Sequence, residues 1–164
     1  MFKNWKGIAI DYDTEWWLNV NKARSAKCLC VDLLEVNINE VLDKWSCPTE
    51  IDYLSIDVDD AQMKVFNDFD FNKYKFKVLT LEHNLFQSDS NCGQNRTEEH
   101  RKNIIKDHAH YREALSKPGY KLLWGNVCLE GYGPVEDWFV DEETFEKNKD
   151  IQKEYANCLE TMNI

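Results

Sequence analysis

Basic side chains are in deficit: 20 Lys and Arg stand against 30 Asp and Glu, for a formal net charge of −10 at pH 7. A surface that neutralises phosphates needs the opposite balance, so nucleic acid is excluded as a partner. The same acidity repels anionic lipid, and no basic amphipathic helix offsets it. No apolar run approaches the roughly 20 residues of a membrane span. Met1 to Trp5 is polar where a secretory leader would be apolar, so the expected location is the cytoplasm. With 3 prolines in 164 residues there is little material for a linker. One domain over 1–164 is therefore expected, with its core in 1–140 and a closing helix in 141–164. Internal repeats and low-complexity tracts are absent. Cysteines lie at 28, 30, 47, 92, 128 and 158 with no CxxC pair, which fits neither a zinc site nor a compact disulfide framework. Cys28 and Cys30 alternate inside an apolar run, and buried free thiols are the expectation.

What the chain does have is 43% apolar and 13% aromatic residues, a globular composition. Apolar runs alternate with helical periodicity along most of it. Trp5 to Ile10 reads as a strand ending at Asp11, and Asp13 as the cap of a helix to about Lys22. Ala26 to Val31 is a second strand, ending at Asp32. Asn37 or Asn39 opens a helix to Trp45, stopped by Pro48. Tyr53 to Ile56 is a third strand, closing on Asp57-Val58-Asp59-Asp60, and Ala61 to Asn67 is helical. Lys77 to Leu81 is a fourth strand, ending at Glu82-His83-Asn84. Gln87 to Arg96 is polar and reads as a loop, either a cover over a site or plain solvated chain. Thr97 to Ser116 is a long helix, stopped by Lys117-Pro118-Gly119. Tyr120 to Leu129 and Asp137 to Val140 are closing strands around Gly131-Tyr132-Gly133-Pro134, and Glu143 to Thr161 is a final helix. This alternation predicts an α/β fold: a mostly parallel sheet with helices on both faces.

In such sheets ligands sit at the carboxyl ends of the strands. Four successive strands finish in acids: Asp11, Asp32, Asp57 with Asp59, and Glu82 beside His83. Asp11 suits the two hydroxyls of a ribose, or caps a helix, as Asp13 does. Asp32 suits an exocyclic amine, or forms a turn. Asp57, Asp59 and Asp60 either spread into water or gather a divalent cation, with Glu82 and His83 as further ligands or as a base for a hydroxyl. Asp57, Asp59 and His83 are the candidate metal ligands. His108 and His110 lie two positions apart on the long helix and cannot share a face, which argues against a two-histidine grip and for surface or half-buried roles. Trp16-Trp17 reads as core, with one ring able to stack on a ligand.

Ile51-Asp52-Tyr53-Leu54-Ser55-Ile56-Asp57-Val58-Asp59-Asp60 resembles the "IDxLxIDVEG" signature of FkbM-type methyltransferases, with Asp59-Asp60 in place of Glu-Gly. Val78 to Asn84 resembles the next strand, which ends in "EHN" in one branch. Pro118 to Leu122 is similar to "GYxLV", Gly133 to Val140 to "GPxEDWWV", and Trp5 to Asp11 to "WxGxxIE". The resemblance spans about Trp5 to Val140. It implies a three-layer, class I methyltransferase-like (Rossmann-like) fold, S-adenosylmethionine as donor, and O-methylation of a sugar or other small hydroxyl acceptor. It further implies Asp11 at the ribose, Asp32 with Leu33 at the adenine, and Asp57 close to the transferred methyl. Catalysis would then fall to Asp57, Glu82 and His83, and contact with the acceptor to Asp59, Asn84, Glu136 and Asp137.

The resembled pattern also opens with a strand and a glycine-rich loop around the methionine part of the donor. Here the only glycine before position 93 is Gly7, and a backbone without glycine cannot approach a ligand as closely. A sheet truncated by its first strand is therefore expected. It would be completed by a partner chain or another copy, as in a split enzyme or homo-oligomer, or closed up in a noncatalytic binding module. A divalent-metal hydrolase on the acidic strand ends is the third alternative.

Overall fold

A computed structural model describes residues 6–13, 15, 26–89, 96–129 and 133–162. These fall into two compact units, one within Met1–Cys47 and Val58–Phe69, the other within Pro48–Asp57 and Asp70–Ile164.

In the first unit, β1 (Ile8–Asp11) pairs in parallel with β2 (Lys27–Cys30), Asp11 lying opposite Cys30. Helix α1 (Ile38–Lys44) starts where Asn37 caps it, its side chain accepting from the Asn39 amide at 2.9 Å. A 3-10 turn over Asp59–Ala61 leads into α2 (Gln62–Asp68). Leu29, Leu33, Ile38, Val41, Leu42, Val65 and Phe66 are buried as the core. The Asn39 side chain donates to the Asp68 carbonyl at 2.5 Å and Lys64 to the Val36 carbonyl at 2.8 Å, tying the ends of the two helices to the chain around them.

The second unit carries a four-stranded sheet in the order β3 (Glu50–Ile56), β4 (Lys75–Glu82), β6 (Gly133–Asp141), β5 (Tyr120–Leu129). Only β3 and β4 are parallel; β6 runs antiparallel to both β4 and β5. The expected mostly parallel arrangement is corrected here to a mixed sheet. The reason is connection length: three residues separate β5 from β6, whereas a parallel crossover needs a dozen or more. Helix α3 (Glu98–Ser116) is capped by Thr97, whose hydroxyl accepts from the His100 amide at 3.1 Å. It ends before Gly119, at φ +89. Instead of one final helix there are two, α4 (Glu142–Lys147) and α5 (Lys149–Met162). They break at Asn148, whose Oδ1 accepts from the amides of Asp150 and Ile151 at 3.1 Å each. Tyr74, Phe76, Leu79, Leu81, Leu115, Phe139 and Val140 form the core.

Strand β6 starts at Gly133, four residues before the expected Asp137, because Gly133 at φ +105 and Pro134 still pair with β5. Among the cysteines, Cys28 is buried as expected, but Cys30 and Cys128 are exposed free thiols. The expected helix from Asp13 to Lys22, Trp16-Trp17, Gly131-Tyr132 and most of the polar loop up to Arg96 lie outside the described residues. No described helix is long and apolar enough to cross a membrane.

Candidate functional site

The four acidic strand ends expected along one parallel sheet fall in two sheets, Asp11 and Asp32 in the first unit and Asp57 and Glu82 in the second. In the first, β1 ends at Asp11 beside Cys30 of β2, and Asp32 follows two residues later. The carboxylates shape their own turns: Asp11 Oδ1 accepts from the Asp13 amide and Asp32 Oδ1 from the Leu34 amide, both at 2.8 Å. Neither Oδ2 is used in these turns. Beside them stand two exposed apolar side chains, Tyr12 (69%) and Leu34 (49%). Leu33 is buried, so its side chain belongs to the core and only its main chain can meet a ligand. Asp59, exposed and at φ +45, opens the 3-10 turn of this unit.

In the second unit Ile56 of β3 lies opposite Leu81 of β4, so Asp57 follows β3 at the level where Glu82 ends β4. Glu82 in turn faces Glu136 of β6. Glu136 is oriented by the Trp138 indole, which donates to its Oε2 at 2.8 Å. The register thus sets Asp57, Glu82 and Glu136 in a row across three strand ends.

One step further along β4 and β6, His83 and Asp137 are buried, and α3 contributes His108 and Arg112, four residues apart on one face. Arg112 grips the Asp137 carboxylate with two donors, Nε to Oδ2 at 2.6 Å and Nη2 to Oδ1 at 2.8 Å. His108 Nε2 donates to Oδ2 at 3.0 Å and the Asn126 amide to Oδ1 at 2.8 Å. That amide points inward because β5 is bulged around Asn126, which takes φ +57. His83 Nε2 lies 3.4 Å from Oδ1, an ion-pair distance longer than a good hydrogen bond. Burial alone would push the Asp137 carboxyl up; hydrogen bonds from Arg112, His108 and the Asn126 amide, with His83 close by, outweigh it and hold the group well below the usual carboxylate range.

The ligand atoms of His83, His108 and Asp137 all lie within 4.8 Å of one another, yet their chemistry does not fit a cation. Arg112 already places a positive charge on both oxygens of Asp137. Leu85 donates its amide to His83 Nδ1 at 3.0 Å, so Nδ1 keeps its lone pair and the neutral ring carries its proton on Nε2. A metal on Nε2 would move that proton to Nδ1, against the Leu85 amide. Of the other expected metal ligands, Asp57 and Asp59 are both exposed and fall in different units.

His108, expected at the surface or half-buried, is buried, and Arg112 carries no motif that marks it in the sequence. The signal was present: His108, Tyr111, Arg112 and Leu115 share the buried stripe of α3, while His100 and His110 face solvent. The model of one protein family, the Methyltransferase FkbM domain, matches residues 21–122, more than half of the chain. No curated protein and no solved structure matches it.

Proposed function

The chain belongs to the FkbM methyltransferase family, and from that premise we propose that it is an S-adenosylmethionine-dependent O-methyltransferase of a small hydroxylated acceptor of the sugar type. The carrying observation is the row Asp57, Glu82 and Glu136 beside the buried His83–Asp137 pair. The donor, when bound, supplies a methyl group on a positively charged sulfur. Asp11 and Asp32 suit its nucleoside: each has one oxygen committed to its turn and a second left to accept from hydroxyls or an amine. Tyr12 and Leu34 offer apolar surface to a planar base, and the Leu33 main chain lies between Asp32 and Leu34.

Acceptor chemistry then falls to the second unit. A hydroxyl becomes nucleophilic when a base takes its proton within hydrogen-bond reach. His83 is badly placed for this, since Nδ1 is filled by the Leu85 amide and Nε2 already bears the proton. Glu82 is the better base, half-buried at the strand end, with Asp57 alongside and Asn84 and Glu136 to hold the acceptor's other hydroxyls.

Titration calorimetry with S-adenosylmethionine tests the donor half. Binding is expected, and Asp11→Ala should weaken it roughly tenfold to a hundredfold, the loss of a charge-assisted hydrogen bond. Glu82→Gln should keep donor binding and lose methyl transfer. No donor binding by the folded chain would overturn the proposal.

One observation favours a second reading, a binding or assembly module whose sheets take strands from elsewhere. Among the described residues β1 pairs only with β2 and β3 only with β4, so each parallel pair has an open edge.

A further inference from the structure

Arg112 and His108 have no part in the chemistry proposed above, although they anchor the most heavily bonded group of the second unit. The geometry points to Arg112 as a positioning residue: through Asp137 it fixes the tautomer and tilt of the His83 ring, and with them the Asn84 turn at the end of β4. That this turn meets the acceptor rests on the proposed function; the coupling from Arg112 to His83 and Leu85 does not.

The coupling follows from which atoms can donate. Arg112 fills the two oxygens of Asp137 with a fork of N–H groups, and the Asn126 amide and His108 complete the set. A carboxylate held by so many donors stays ionised and fixed in its plane. His83 therefore meets a fixed anion at Nε2 and a fixed donor, the Leu85 amide, at Nδ1. Both neighbours demand the same tautomer. Moving the proton to Nδ1 would aim one N–H at another and leave a lone pair against a carboxylate. The His83 ring is also tilted against that of His108, with centroids 4.3 Å apart, so one of its faces is covered.

Asn84, between the ring and the Leu85 amide, takes the left-handed conformation at φ +50 and ψ +34. A non-glycine residue persists there only where its surroundings over-determine it. The amides of His83 and Asn84 both donate to the Val135 carbonyl, at 2.8 and 3.3 Å, and the Asn84 carbonyl accepts from the Gln87 amide at 2.9 Å. The His83–Leu85 bond closes this turn from the side-chain direction.

Gly125 supplies an independent handle. A Cβ there would lie 2.6 Å from Arg112 Nη2 and 3.4 Å from its Cζ. Glycine is thus what lets the guanidinium lie against β5. Gly125→Ala displaces that group without removing its charge.

The test is a long-range proton–nitrogen NMR spectrum of the full chain with labelled histidine, comparing wild type with Arg112→Ala, Arg112→Lys and Gly125→Ala, each checked for folding by circular dichroism. Wild-type His83 should show one tautomer, protonated at Nε2. Arg112→Ala and Gly125→Ala should show mixed tautomers and a shifted Leu85 amide, and Arg112→Lys, which restores charge without the fork, should fall between. Should Arg112→Ala fail to fold, the other two variants carry the same readout. An unchanged His83 spectrum in folded variants overturns the inference. Altered His83 signals together with a wild type that transfers no methyl group would instead sink the proposed function and leave the coupling standing.

Discussion

Asp137 is where burial and charge are most finely opposed. Its side chain is 1% exposed, and it stays ionised because Arg112 and the other donors offset the cost of leaving water. Asp137→Ala would strand a guanidinium and two imidazoles around a void. We expect a loss of about 3 kcal/mol, the low end for a broken buried pair because the Arg112 side chain is 33% exposed. The sign of the pH dependence is fixed by the direction of the shift. The folded-state value lies below the ordinary Asp value of about 3.9, so the network's contribution is complete above that pH and is lost as pH falls below it. Denaturant unfolding of wild type and Asp137→Asn over a pH series should show a difference that is flat at neutral pH and shrinks only below about pH 4. A difference that changed well above that pH would assign the effect to other groups instead. The helix stripe that carries His108 and Arg112 is legible in the chain, but not its meeting with Asp137, which stands 29 and 25 residues further on. Only the fold brings them together, whereas Glu82, His83 and Asn84 are consecutive and could be read off directly.

Individual elements were legible where local rules decide them. The ends of α3 follow from a capping Thr97 and a stopping Gly119, and Tyr120 to Leu129 forms the strand its pattern indicates. What alternation could not convey is strand direction. A strand–helix–strand pattern implies a parallel neighbour, but β6 enters between β4 and β5 after a connection too short for a crossover, and turns the sheet mixed. The break at Asn148 was hidden for a different reason: the sequence around it is helical on both sides, and only the side-chain cap shows that a new helix begins. Caps also give a measurable prediction. Thr97→Ala removes the acceptor for the His100 amide and should cost about 1 kcal/mol in thermal or denaturant unfolding. Because α3 carries both His108 and Arg112, fraying at its first turn should leave the His83 tautomer unchanged, which separates loss of helix stability from loss of the guanidinium fork.

At the scale of the whole molecule two tendencies compete: strand edges that have no partner among the described residues, and a net charge of −10 that opposes the approach of a second copy. Strand β3, paired on one side only among the described residues, is seven residues long, has no proline and carries the exposed ring of Tyr53 (39%). Such an edge is a template for another strand, and a second copy is the occupant we expect. Main-chain pairing is largely indifferent to ionic strength, whereas repulsion between two acidic chains is screened once the Debye length falls to about 10 Å near 0.1 M salt. Association through strand edges should therefore tighten with added salt, the reverse of an interface built on ion pairs. Light scattering across a dilution series, at low and moderate salt, reads this directly. A mass that rises toward two copies with salt fits edge pairing, and one that falls with salt would assign the contact to charged side chains. A single-copy mass under all conditions would show that the edges are closed within the chain and leave the methyltransferase reading without its rival.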